Sequence, residues 1–222
     1  RKLFRKKEFR KAVSYAIDRE RIANSLFPGE AIQPFYGGFP KGSTYYNADY
    51  VKKYKYDPEK AEQILADMGF EDTDGNGFLN WPDGTLLEGK DLVMVGMAVK
   101  THPADVKALE LVKPFFRRVG IDLRIKPMNM TTVAAKRNSG DFDVYCHRFE
   151  YIVTPFANAE FIFPITSSSP WWHVAGPGKE RELLPFEEEM KNLMDRAKTA
   201  GFEERKEIFN KLLELYTENV YT

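Results

Sequence analysis

Residues 111–128, LVKPFFRRVGIDLRIKPM, predict a helix, a glycine stop and a strand in direct succession. The helix begins at Pro103, and its apolar side chains share one face: Val106, Leu109, Val112, Phe116 and Val119. Gly120 is a natural C-terminal stop, because glycine adopts the left-handed conformation that ends helices at no steric cost. Residues 121–128 then alternate between apolar and polar side chains, as a half-buried strand does. A buried strand at 91–99, DLVMVGMAV, precedes the helix, so strand, helix and strand follow one another, and this alternation predicts an α/β layer fold with at least one parallel pairing.

The rest of the chain also alternates between helices and strands. Phe9, Ala12 and Ala16 belong to an apolar helical stripe, and Asp57 with Pro58 supplies an N-cap and a first-turn proline for a second helix. Strands are predicted near 91–99, 121–127 and 142–148, and flanking helices at 9–20, 58–68, 104–118 and 203–218. The predicted fold class is therefore α/β, with a mixed sheet flanked by helices.

The composition limits the possible classes of function. The chain has 222 residues, of which 43% are hydrophobic, and its 33 basic side chains balance 33 acidic ones. A net charge near zero argues against nucleic-acid binding, and no run of about eighteen apolar residues is present to cross a membrane. A single cysteine, Cys146, excludes an internal disulfide. The chain begins without a methionine or a signal peptide and both ends read as cut, which predicts a fragment of a longer protein.

Three stretches carry a family resemblance. They are FRKAVSYAIDRERI (9–22), YDPEKAEQILADMGFEDTDGNGFLNWPDG (56–84) and LVKPFFRRVGIDLRIKPM (111–128). In this order and spacing they resemble the extracytoplasmic solute-binding proteins of the peptide and nickel type (family 5), which serve ABC importers. The resemblance implies a periplasmic-binding-protein-like fold, in which residues 1–222 form a single lobe, the C-terminal lobe of a two-lobe protein.

The same resemblance implies a function. The protein is expected to capture an oligopeptide or an oligosaccharide in a cleft between two lobes and to deliver it to a membrane permease. It is expected to act as a monomer in the periplasm or at the cell surface, with no cofactor and no nucleic-acid partner. Enzyme function is not expected, because the sequence offers no Ser-His-Asp, GxSxG or phosphate-loop pattern. The alternative is a calcium-stabilised extracellular α/β module that binds a protein partner.

Two pairs of residues are candidates for contact with the solute. By the resemblance, Glu150 and Tyr151 match an Asp-Tyr pair whose carboxylate holds the amino terminus of the ligand in peptide binders of the family. Trp171 and Trp172 offer flat aromatic faces, which suit sugar rings and apolar peptide side chains. Two simpler interpretations stay open: Glu150 only ends a strand in solvent, and one tryptophan is core while the other is surface.

Residues 72–84, DTDGNGFLNWPDG, have the ligand pattern of a twelve-residue calcium loop. Its candidate ligands are Asp72, Asp74, Asn76 and Asp83. A calcium hand needs a helix after the twelfth position, whereas Gly84 and then the 91–99 strand follow here. We therefore favour a turn in which short polar side chains bond the local backbone, and we predict no metal site. A bound calcium ion stays the alternative.

The cysteine and the histidines predict no further site. Cys146 and His147 are adjacent in a predicted strand and point to opposite faces, so Cys146 is interpreted as a core residue. His102 begins a helix and His173 lies in a loop, and neither has another histidine at ligand spacing.

Overall fold

The computed structural model describes residues 3–30, 36, 38, 40–147, 155–156, 159–166, 169 and 181–221. The helices are α1 (Lys7–Ala16), α2 (Arg19–Leu26), α3 (Pro58–Asp67), α4 (Pro103–Arg118), α5 (Met130–Ser139), α6 (Pro185–Ala197) and α7 (Phe202–Glu218). The strands are β1 (Val93–Val99), β2 (Asp122–Met128) and β3 (Val144–Tyr145), and short 3₁₀ helices lie at Leu3–Arg5, Ala48–Tyr50 and Ala159–Phe161. None of the helices in the described ranges is long and apolar enough to span a membrane.

The chain divides into two compact units. Unit 1 consists of Arg1–Pro34, Tyr54–Val133 and Phe142–Arg148. Unit 2 consists of Phe35–Lys53, Ala134–Asp141 and Phe149–Thr222. Each unit has its own hydrophobic core.

Unit 1 is built on a sheet with the strand order β2-β1-β3, in which both pairs of neighbours are parallel. The registers run from Val93↔Asp122 to Val99↔Met128 and from Gly96↔Val144 to Met97↔Tyr145. The predicted α/β fold and its 121–127 strand are confirmed. In the described part of the chain, the antiparallel pairing expected of a mixed sheet is limited to the isolated bridges Glu71↔Asn80 and Asn80↔Asp91.

The third strand is shorter than the predicted 142–148. At its start, the side chain of Asp143 replaces a backbone partner, because its carboxylate accepts a hydrogen bond from the Val95 amide at 2.8 Å. Beyond its end, the Cys146 amide donates to the Met97 carbonyl at 3.0 Å. These two bonds hold the segment beside β1 where regular pairing is absent.

Helix α4 packs closely against the sheet. Leu109, Phe116 and Val119 of its predicted apolar face are buried in the core. Gly96 in β1 permits the close approach, since a Cβ atom at this position would lie 3.3 Å from Leu109 Cδ2 and 3.2 Å from Leu123 Cδ1. The predicted strand–helix–strand unit is therefore the centre of unit 1.

Gly120 ends α4 as predicted, with a φ of +76°. A Cβ atom there would lie 2.6 Å from Leu79 Cγ and 3.2 Å from the Leu79 backbone nitrogen. That nitrogen donates a hydrogen bond to the Gly120 carbonyl at 2.8 Å. Gly120 thus joins the end of the helix to the loop at 72–84.

The predicted single helix at 9–20 is interrupted at Ile17 and Asp18, because the chain forms two helices here. α1 ends at Ala16, and α2 begins at Arg19. Between them, the Asp18 side chain caps α2 by accepting a hydrogen bond from the Arg21 amide at 2.9 Å. An aspartate that bonds the backbone two or three residues ahead favours a new helix start over continuation of the old helix.

Unit 2 is built on α6 and α7, and a buried polar network lies at the start of α6. Oε1 of Glu187 accepts hydrogen bonds from Arg181 Nη2 at 3.3 Å and from the Tyr221 hydroxyl at 3.2 Å. Oε2 accepts from the Leu184 amide at 2.7 Å, which caps the helix. Burial raises the pKa of Tyr221, so its hydroxyl stays protonated as a donor.

Candidate functional site

The carboxyl ends of the three parallel strands lie along one edge of the sheet in unit 1, which we call the carboxyl edge. The exposed residues Thr101, Asn129 and His147 follow β1, β2 and β3 there. The Lys100 amide donates to the Met128 carbonyl at 2.8 Å and joins the first two connections. In open α/β sheets ligands bind outside this edge, so it is the candidate site of unit 1.

Two histidines and a carboxylate meet at the carboxyl edge. The ring centroids of His102, at the start of α4, and His147, after β3, are 6.4 Å apart. Nδ1 of His102 lies 3.3 Å from Oδ2 of Asp105, whose side chain is only 5% exposed. The His147 ring also stacks on Tyr145, with centroids 5.3 Å apart and ring planes at 13°. We call His102, Asp105 and His147 the histidine cluster.

The expectation that His102 has no histidine at ligand spacing is wrong. Spacing along the chain reveals neighbours on one helix or loop, whereas His102 and His147 meet across two adjacent parallel strands. Both follow closely on the carboxyl ends of strands β1 and β3, which pair with each other. Placing these predicted strands side by side is the signal that would have found the cluster.

Cys146 is half-buried, whereas its interpretation as a core residue predicts full burial. Burial raises the pKa of its thiol to about 11, and the negative charge of Asp105 acts in the same direction. The thiol therefore stays protonated at neutral pH and has little nucleophilic character.

The residues predicted to contact the solute lie outside the described residues. These are Glu150, Tyr151, Trp171 and Trp172. Glu150 and Tyr151 follow closely in sequence on His147, the last described residue before the undescribed stretch 148–154. Their role in solute binding stays a prediction.

The loop at 72–84 bonds its own backbone, as the turn interpretation predicts. Oδ1 of Asp72 accepts from the amides of Gly75 at 2.8 Å and Asn76 at 3.2 Å, and Oδ2 accepts from Gly77 at 2.9 Å. The hydrogen bond from Gly77 is the largest cause of a lowered pKa for Asp72, so this carboxylate stays ionised. Oδ1 of Asp74 also accepts from the Asn76 amide, at 3.2 Å.

The exit from this loop also differs from that of a calcium hand. Asp83, at the closing position, takes no part in these hydrogen bonds, and the chain continues into β1 rather than a helix. The side chain of Asn76 instead donates to Asp91 at 3.1 Å, just before the strand. Hydrogen bonds between the protein's own side chains and backbone therefore hold the shape of this loop.

Two relatives that bind sugars align with the whole chain. The periplasmic alpha-galactoside-binding protein of Rhizobium meliloti (strain 1021) is 29% identical over 227 residues, covering 100% of this chain and 32% of the relative. The solved structure of the periplasmic binding protein MelB from Agrobacterium fabrum C58, in complex with stachyose, is 30% identical with a TM-score of 0.93. It covers 100% of this chain and 33% of the MelB chain.

A peptide-binding relative aligns less completely. The oligopeptide-binding protein AppA of Bacillus subtilis (strain 168) is 27% identical over 141 residues, which is 64% of this chain and 25% of the relative. Its structure in complex with a nonapeptide has the same fold, with a TM-score of 0.79, 22% identity, and coverage of 99% of this chain and 41% of that chain. The chain thus spans about a third or less of the length of its curated relatives.

A family model described as bacterial extracellular solute-binding proteins, family 5 Middle, matches residues 1–171 of the 222 in the chain. The family consists of binding proteins rather than enzymes, and its relatives named above bind an oligosaccharide or a peptide. The matched residues include the three stretches 9–22, 56–84 and 111–128, on which the family resemblance rests. The chain belongs to the bacterial extracellular solute-binding proteins of family 5.

Proposed function

We propose that the chain is the C-terminal lobe of the substrate-binding component of an ABC importer, and that its solute is an oligosaccharide. The observation that carries the proposal is the similarity, along the whole of this chain, to part of an alpha-galactoside-binding protein and to part of MelB bound to stachyose. The protein captures the solute in a cleft between this lobe and a second one, and then docks on the membrane permease. It acts as a monomer, outside the cytoplasm, and performs no chemistry on the solute.

An oligopeptide is the second candidate solute. The similarity to AppA, which was solved with a nonapeptide, favours it. The two solutes differ in charge, because a peptide brings a positive amino terminus and a neutral sugar does not. Glu150 would pair with that amine, whereas it would only accept hydroxyl hydrogen bonds from a sugar.

We place the solute contacts of this lobe at Glu150, Tyr151, Trp171 and Trp172. Two arguments support the placement. Glu150 and Tyr151 follow β3, at whose carboxyl end an open α/β sheet binds its ligands. Tryptophan faces pack against the C–H bonds of sugar rings and bury a large area for each side chain.

Variants of the full-length protein test the placement and the solute class together. Trp171→Ala or Trp172→Ala should weaken binding of stachyose by about 1 to 3 kcal/mol, the usual range for a buried aromatic contact. Glu150→Gln should weaken binding of a sugar mildly and binding of a peptide strongly, because only the peptide loses an ion pair.

Two matched controls come from the same chain. Trp81→Phe alters a half-buried tryptophan that packs edge-on against Phe70, with ring centroids 5.6 Å apart, at the core of unit 1. Glu160→Gln neutralises an exposed carboxylate outside the proposed site. Both controls should bind stachyose like the parent. If the three site variants also bind every tested solute like the parent, the site assignment is wrong.

A further inference from the structure

We propose that the histidine cluster binds a divalent transition-metal ion such as Zn²⁺ through His102, Asp105 and His147. Each residue offers one ligand atom, and the three atoms lie within 4.8 Å of one another. Two ligands of a tetrahedral Zn²⁺ at its usual bond lengths are about 3.4 Å apart. The 3.3 Å between His102 Nδ1 and Asp105 Oδ2 already matches this separation.

The surroundings of the two inner atoms, His102 Nδ1 and Asp105 Oδ2, favour a bound cation. Among the described residues, His102 Nδ1 and Asp105 Oδ2 are the buried side-chain atoms without a hydrogen-bond partner, although they face each other. Buried polar atoms are nearly always paired, since an unpaired one retains the cost of its lost hydration. A metal ion between them would accept a lone pair from each and remove that cost.

The local sequence holds these two ligands in place. His102 occupies the N-cap of α4, but its side chain makes no capping hydrogen bond. Its own amide donates to the Val99 carbonyl at 2.8 Å, and the Asp105 amide donates to the His102 carbonyl at 3.1 Å. Asp105 lies in the first turn of the same 16-residue helix, three residues after His102.

The third ligand comes from the neighbouring strand. His147 is exposed, and its ring is oriented by stacking on Tyr145. Imidazole nitrogens suit Zn²⁺, Ni²⁺ and Cu²⁺, and one carboxylate completes a set of three. Three protein ligands leave a fourth position for water or for an atom of another molecule, which is the pattern of open zinc sites.

Calorimetric titration of Zn²⁺ into the chelator-treated chain tests the proposal, with no solute present. The result is therefore independent of the proposed transport function. We expect one ion per chain. His147→Ala and His102→Ala should each weaken Zn²⁺ affinity by at least about tenfold, because mutating even a residue that only hydrogen-bonds to a metal ligand has an effect of that size. His147 is exposed, so its removal leaves the fold intact, which the melting temperature of the variant checks. The visible absorption of added Co²⁺ should show the same loss.

His173→Ala is the matched control, because His173 is the remaining histidine of the chain. It should bind Zn²⁺ like the parent, and so should Cys146→Ser. Loss of binding in either control would show that the ligand set is wrong. Absence of stoichiometric binding, or binding unchanged in His147→Ala, would reduce the cluster to a buried histidine–aspartate pair and overturn the proposal.

Discussion

Replacing Gly120 with alanine should destabilise the chain by about 2 to 5 kcal/mol, for two separable reasons. The φ of +76° lies in the left-handed region, which costs an alanine about 1 to 2 kcal/mol. The added Cβ would also lie 2.6 Å from Leu79 Cγ and 3.2 Å from the Leu79 backbone nitrogen, too close for either atom to stay in place. Overpacking of this kind costs about 1 to 3 kcal/mol, and the backbone hydrogen bond from Leu79 to Gly120 is strained as the loop moves.

Gly75→Ala separates the two costs. Gly75 has nearly the same conformation, with a φ of +74°, but nothing lies within 4 Å of the position that its Cβ would take. Gly75→Ala should therefore lower the free energy of unfolding only by the cost of the left-handed backbone conformation, about 1 to 2 kcal/mol. Urea unfolding followed by circular dichroism measures both variants against the parent. Equal destabilisation of the two variants would show that the loop does not pack on the end of α4 as described.

Four further predictions concern the buried polar network, the cysteine and the acidic loop. Glu187→Ala should lower the free energy of unfolding in urea by about 3 to 5 kcal/mol, because it leaves the buried Arg181 without its carboxylate partner. Glu204→Ala, at an exposed ion pair, should lower it by under about 1 kcal/mol. Similar losses in the two variants would contradict the buried network. Because the pKa of Cys146 is raised from 9.0 to about 11, its alkylation at pH 8 should be about a hundredfold slower than in the urea-unfolded chain, and equal rates would refute the burial. This thiol is neutral in the folded chain, so its contribution to stability should decrease as pH rises from 9.0 towards about 11. Melting temperatures in calcium and in excess chelator should agree within about two degrees, because protein groups already hold the 72–84 loop; a large drop in chelator would make Asp72, Asp74, Asn76 and Asp83 ligands.

The parts of the fold that were predictable from sequence are those where local signals agree. The apolar face of α4, the stop at Gly120 and the alternation that follows all indicate one strand–helix–strand unit, and the structure has it. The break after Ala16 was missed because the apolar stripe continues to Ile17, while the capping preference of Asp18 ends the helix. The apolar periodicity favours one continuous helix, whereas the hydrogen bond from the Arg21 amide to the Asp18 side chain favours a new helix start, and the structure has the new start.

The candidate site was less predictable, because it depends on contacts between distant parts of the chain. His102 and His147 come together only through the pairing of β1 with β3, which no local pattern reveals. Asp143 illustrates the same limit at the other end of β3, since its side chain replaces a backbone partner of β1. The acidic loop at 72–84 was predictable, because Asp72 bonds amides only three to five residues away.

Titration of stachyose into the full-length two-lobe protein, and into the isolated 222-residue chain, tests the proposed function most directly. The full-length protein should bind the sugar, because two lobes enclose it and remove both of its faces from water. The isolated chain should give no detectable heat at concentrations that saturate the full-length protein, because half a cleft leaves one face of the solute in water and lacks the contacts of closure. Equal affinity in the two proteins would contradict the two-lobe account, and a full-length protein that binds a peptide but not stachyose would contradict the proposed solute.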